Sequence, residues 1–247
     1  MVLKIGGLLV ALIAVNFIPM AWLHTPGMNE YEMSGITTYA VSSDKQAAEA
    51  IADRVASSQD RILQAMGNID TSGIDIIVYP DRSALKRKTL GFAGMLLLPD
   101  WFIGRNTMNS VLITSPQAPG PEHTYESVVQ AAVHEYVHVL TYRVNRHLDH
   151  WLMEGIAVYL AQQVPSDGMV RDTAEAITYE RFAKTNSIQF ANVGGYALSY
   201  TLIAYIEETY GWDKVMGLIE PGATYESVLG RSKRDVFEAW RSHLLEE

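Results

Sequence analysis

The chain has 247 residues, of which 48% are apolar, enough for one enzyme-sized domain with a substantial core. It contains no cysteine, which excludes disulfides, thiolate metal sites, a cysteine nucleophile and anchoring through a lipidated cysteine. The net charge is −9, and no Lys/Arg cluster is long enough to follow a phosphate backbone, so nucleic acid is not an expected partner.

Lys4 is the sole charge among the first 23 residues, and Ile5–Leu23 is an uncharged run of 19 residues. That length suffices for a bilayer core of about 30 Å. It exceeds the roughly 7–15 apolar residues of a signal peptide, and no small-residue cleavage site follows. Residues 1–23 are therefore expected to form an uncleaved signal anchor, a single-pass helix in the cell membrane with the rest of the chain extracytoplasmic. Secretion after signal cleavage is the alternative. Lys4 set against Glu30 and Glu32 fits that orientation. Residues 24–34, with Pro26-Gly27, read as a tether.

Next, 36–41 is β-branched and alternating, a predicted strand. Ala47, Ile51, Val55, Ile62 and Met66 mark a long helix over 46–66. Residues 74–79 form a second strand, stopped by Pro80, and 81–88 a short helix with a solvated basic face. Residues 91–98 and 111–114 are further strand candidates, 116–121 a Pro/Gly loop, and everything beyond Thr124 reads as helical. Strands with one early helix, then helices alone, imply an α+β fold. A small mixed sheet packs on the helix described next, and a mainly helical C-terminal half follows. Residues 35–247 are expected to form one domain, with 35–148 and 149–247 as its halves.

The most informative segment is His134-Glu135-Tyr136-Val137-His138. On a helix, positions i and i+4 share a face, so His134 and His138 can offer two imidazole nitrogens to one Zn²⁺. Glu135 lies beside that pair, placed to take a proton from water. The segment 127–140 lacks Gly and Pro. Val129, Ala132, Val133, Val137 and Leu140 define a buried face, with Thr124 as N-cap and Glu126 in the first turn.

A catalytic zinc usually has three protein ligands and an open position. After a short polar turn, 149–161 reads as a second helix, and two antiparallel helices can return Glu154 to the histidine pair. Gly155 and Ala157 would let this helix pack close to the first, with Trp151 and Leu152 holding it to the core. His147, Asp149 and His150 are lesser candidates. The metzincin continuation is absent, because its Gly and His positions are Thr141 and Val144.

His134-Glu-Tyr-Val-His138 followed by Trp151-Leu-Met-Glu-Gly-Ile-Ala157 resembles the gluzincin metallopeptidases, and most closely the peptidase MA-like bacterial proteins. The segments 195–211 and 236–245 are similar to later helices of that group. The resemblance spans roughly residues 70–245 and implies a zincin-like fold. It implies His134, His138 and Glu154 as zinc ligands, Glu135 as catalytic base and peptides or proteins as substrates. Tyr196 or Tyr200 would then donate a hydrogen bond to the oxyanion. It further implies that substrates bind extended on an edge strand before the active helix, with 111–114 the first candidate and 91–98 the second. One departure is Val158, where several gluzincins carry an acid that orients a zinc histidine. The expected function is a membrane-tethered zinc metallopeptidase. The alternative is a non-catalytic zincin-fold binding domain.

Overall fold

Ser34 and Gly35 both adopt left-handed backbone conformations, φ 51° and 79°. This two-residue turn joins β1 (Met28–Met33) to β2 (Ile36–Val41) as a tight antiparallel hairpin, whose right-handed twist such turns match. In this computed structural model, residues 14–184 and 187–246 are described. Two compact units are present. One comprises the chain up to Gln59 with Thr71–Val139, the other Asp60–Asp70 with Leu140–Glu247.

The first unit is built on a five-stranded mixed sheet in the order β1-β2-β3-β5-β4. β3 (Asp75–Tyr79) lies parallel to β2 and to β5 (Ser110–Thr114), while β4 (Gly104–Asn106) runs antiparallel to β5 at the sheet edge. The alternation of a strand divides the central residues between two faces. Ile77, Tyr79 and Leu112 pack with Ala84 and Leu85 of α2 (Arg82–Leu90). Ile76, Val78, Val111 and Ile113 alternate with them and are fully buried. The long helix α1 (Lys45–Met66) follows β2, with Ala47, Ala48, Ile51, Ala52, Val55 and Ile62 buried along one stripe.

The expected α+β class and mixed sheet are found. Three local expectations are corrected. Residues 28–33 are not a tether but an edge strand, whose Glu30 accepts from Tyr39 and Glu32 from Thr37 across the hairpin. The run 91–98 is not a strand. It forms a 3-10 turn, Gly91–Ala93, and a single helical turn, α3 (Gly94–Leu97). Gly94 there sits so close to the Lys86 carbonyl that an added Cβ would fall 2.2 Å from it. Finally, β5 is an interior strand, and the edge position belongs to the three-residue β4.

The membrane-spanning helix is a fourth correction, and with it the single-pass membrane placement. Among the described residues, no helix is long and apolar enough to cross a membrane. Residues 1–13 of the expected span lie outside the described residues. From residue 14 on, the chain is used by the sheet unit. Residues 14–17 are helical, and a 3-10 turn with Pro19 follows at Ile18–Met20. The Asn16 carboxamide accepts from the Ala93 N–H at 2.7 Å and donates to the Leu90 carbonyl at 3.4 Å. Leu23 packs against the Tyr79–Leu85 cluster, and its carbonyl accepts from the Tyr79 hydroxyl at 2.7 Å. The Lys88 ammonium donates to the carbonyls of Trp22 and His24 at 2.6 and 3.1 Å. A stretch tied down by such polar contacts serves the fold of this unit.

The second unit is helical. α5 (His150–Leu160) packs against α9 (Gly195–Tyr210). Between these two lie α6 (Asp167–Ala176), α7 (Tyr179–Lys184) and α8 (Ser187–Asn192). α10 (Trp212–Ile219), α11 (Tyr225–Leu229) and α12 (Lys233–Glu246) complete the chain. Its core is aromatic: Trp151 lies 4.8 Å from both Phe182 and Phe190, and Phe237 lies 5.0 Å from Phe182. Tilted and edge-to-face pairs of this kind add to the burial of large rings. The last turns of α1 belong here, where Arg61 donates to the Leu160 carbonyl at 2.7 Å and Ala65 accepts from the Trp212 indole at 2.7 Å.

Candidate metal centre

The helix carrying the histidine pair is α4 (Tyr125–Val144). Its start is fixed by a reciprocal cap. The Thr124 hydroxyl accepts from the Ser127 N–H at 3.1 Å, and the Ser127 hydroxyl accepts from the Thr124 N–H at 2.9 Å. Val128, Ala132, Val133, Tyr136, Val137, Val139 and Leu140 are all buried, so α4 is enclosed on most of its circumference. His134 and His138 are polar groups on a helix the sequence otherwise fills with apolar residues, and they are only 8% and 5% exposed. Their rings lie 4.5 Å apart and perpendicular, as i and i+4 placement allows.

Glu154 is carried by α5. Asp149 caps that helix by accepting from the Trp151 N–H at 3.1 Å, and also pairs with the Lys233 ammonium at 2.5 Å. Trp151 and Leu152 are buried, as expected of the residues that seat this helix. Glu154 is 7% exposed, and a carboxylate so buried is costly unless an opposite charge or a metal compensates it. One ligand atom from each of His134, His138 and Glu154 falls within 4.8 Å of the others, so the three can hold a metal ion. Two imidazole nitrogens and one carboxylate oxygen are the donor set of a catalytic zinc site with one open position. Other first-row divalent ions accept the same set, so the donors alone do not choose the metal.

The lesser ligand candidates have other places. His147 is exposed in the turn before α5, where its N–H is donated to the Asn145 carboxamide. Asp149 is the cap just described. His150 stacks edge-on to Phe190 at 4.7 Å. Val158 is buried, and its apolar side chain offers no carboxylate to a histidine.

Gly155 does not act as expected. The notch left by its missing side chain is filled by α9: an added Cβ would meet the Ser199 carbonyl oxygen and the Ile203 side chain, both at 2.8 Å. Of the two tyrosines proposed for the oxyanion, Tyr196 is 40% exposed in the first turn of α9, its ring edge-on to Phe190 at 5.1 Å. Tyr200 instead packs on Tyr159 in a tilted pair, ring centroids 5.1 Å apart. The Tyr159 hydroxyl donates to the Glu207 carboxylate. Burial first, and then that hydrogen bond, push the Tyr159 phenol far above its ordinary range and keep it protonated.

Glu135 is half-buried on α4, and the edge strand passes directly over it. A Cβ on Gly104 would lie 2.9 Å from the Glu135 Oε1 and 3.1 Å from its Cγ. Sequence reasoning missed Gly104, because β4 is three residues long and carries no pattern of its own.

No family model, no curated protein and no solved structure matches the chain. The likeness to gluzincins therefore rests on the two motifs and on the His134–His138–Glu154 group.

Proposed function

We propose that this protein is a zinc-dependent metallopeptidase. The observation that carries the reading is the buried His134–His138–Glu154 group, with a half-buried glutamate, Glu135, between the two histidines on the same helix. When bound there, zinc supplies a Lewis acid for a scissile carbonyl and lowers the pKa of water to about 7. Glu135 accepts the proton of the attacking water on a carboxylate oxygen and passes it to the leaving amine. Tyr196, exposed at the start of α9, donates its hydroxyl proton in a hydrogen bond to the carbonyl oxygen as that oxygen gains charge. The substrate lies extended along β4. The Ile103–Thr114 and Thr107–Ser110 hydrogen bonds to the β5 side leave the N–H and C=O groups of Gly104 and Asn106 directed to the open edge.

The test is metal analysis of the purified protein together with cleavage of a broad peptide library by the zinc-loaded protein and its Glu135→Gln variant. Cleavage by the first and not the second supports the reading. A zinc-loaded protein that cleaves no peptide would instead be a non-catalytic metal-binding domain.

A further inference from the structure

Gly104 is not required by its backbone. Its φ lies outside the left-handed region, unlike ten other glycines among the described residues, so a side chain is conformationally allowed there. Alanine would also fit a strand better than glycine, which loses more chain entropy on folding and packs nothing. What excludes a side chain is space. The direction a Cβ would take is occupied by the Glu135 carboxylate oxygen at 2.9 Å, the Glu135 Cγ at 3.1 Å and the Ile113 Cδ1 at 3.0 Å. Gly104 faces Ile113 in the β4–β5 register, so the backbone of the edge strand, bare at this point, is the wall against which the Glu135 carboxylate rests.

We infer that Gly104 is a positioning residue for Glu135: its missing side chain leaves the carboxylate the one place from which it reaches the reacting water. This rests on the reading of Glu135 as general base. The obstructing atoms are the far ends of two flexible side chains, so the fold can absorb a methyl group at 104. It does so by turning the Glu135 carboxylate aside. The penalty then falls on proton transfer rather than on folding or metal binding. A displacement of about 1 Å of a catalytic group typically costs on the order of 100-fold in rate. The same contact fixes how near a peptide paired to β4 lies to the base.

The experiment is a double-mutant cycle on the full chain: parent, Gly104→Ala, Glu135→Ala and the double variant, each measured for urea midpoint and zinc content. Steady-state peptide cleavage is added for the parent and Gly104→Ala. In the Glu135→Ala background the added methyl group should raise the midpoint. In the parent it should raise it less, or lower it. Because the Ile113 contact is present in both backgrounds, the difference isolates Glu135. Gly104→Ala should keep the parental zinc content and KM while kcat falls roughly 10- to 100-fold. Equal midpoint shifts in the two backgrounds would overturn the contact, and a parental kcat in Gly104→Ala would overturn the positioning role. Failure of the peptidase reading shows itself separately, as absence of cleavage by the zinc-loaded parent, and the midpoint cycle still decides whether Gly104 makes room for Glu135.

Discussion

Gly155 lies against the main chain of Ser199: a Cβ on Gly155 would stand 2.8 Å from the Ser199 carbonyl oxygen. Ser199 is fully buried in α9, and a helix carbonyl cannot rotate away as a side-chain terminus can. Gly155→Ala must therefore move α5 from α9. The expected cost is about 1–3 kcal/mol, as for other insertions into close packing, read as a lower urea midpoint at unchanged slope. Glu154 is the neighbouring residue, so the same variant should bind zinc more weakly. A stability within ~0.5 kcal/mol of the parent would show that the pair can slide apart freely.

Removal of a metal ligand should separate the two sets of histidines. His134→Ala, His138→Ala and Glu154→Ala should each lose zinc by more than the roughly 10–100-fold typical of outer-sphere changes. His147→Ala and His150→Ala should bind it as the parent does. Chelation should lower the melting temperature of the parent and leave those of the three ligand variants unchanged, because a ligand bound by the folded state alone stabilises it. Stoichiometric zinc in Glu154→Ala, with loss in His147→Ala or His150→Ala, would replace the carboxylate by a third histidine.

Glu135→Gln preserves shape and removes the proton acceptor. Zinc content and melting temperature should match the parent, while kcat/KM falls on the order of 10²–10⁴-fold. Near-parental turnover would assign the base to another group.

Pairing of substrate to β4 predicts a position-specific effect of proline. Asn106→Pro deletes an N–H directed to the open edge and leaves the hydrogen bonds to β5 in place. KM for peptides should rise several-fold with the sheet intact by circular dichroism. An unchanged KM would place the substrate elsewhere.

Tyr196→Phe removes one hydroxyl from an exposed ring. If that hydroxyl serves the developing oxyanion, kcat should fall about 10²–10³-fold at constant KM. Tyr200→Phe, which alters a ring packed at a tilt on Tyr159, should leave kcat unchanged. Equal effects of the two variants would remove Tyr196 from the mechanism.

The parts of the fold that sequence reasoning found are those with a strong period or an explicit signal. α4 announces itself by Thr124 and Glu126 at its start and by buried apolar positions along its length. β2, β3 and β5 are β-branched runs bounded by turns. The errors have physical causes. Residues 91–98 are apolar but carry no β-branched side chain, and a short apolar run has no period that separates a strand from a buried helical turn. β1 alternates Glu30 and Glu32 with Tyr31 and Met33, a polar pattern that suits an edge strand and reads as linker. For the site, the histidine pair is legible because its two residues share one helix. Gly104 and Gly155 are not. A glycine shows in sequence only that a side chain is absent, and the atoms that fill the space come from residues distant in the chain.

The hydrogen bond from Tyr79 to the Leu23 carbonyl bears on where this protein can be shortened. A fragment beginning at Met28 would look natural, since β1 starts there. It would strip Leu23 from the Tyr79–Leu85 cluster, and it would remove the acceptor of a phenol whose ring is fully buried. An orphaned buried hydroxyl costs about 1–3 kcal/mol before the uncovered apolar surface is counted. Lys88 would lose both carbonyls that hold it, and the Asn16 clamp on the Leu90–Ala93 corner would vanish. A proteolytic nick anywhere between Asn16 and Met28 thus acts on the sheet as a core lesion does, although it falls on what looks like a leader.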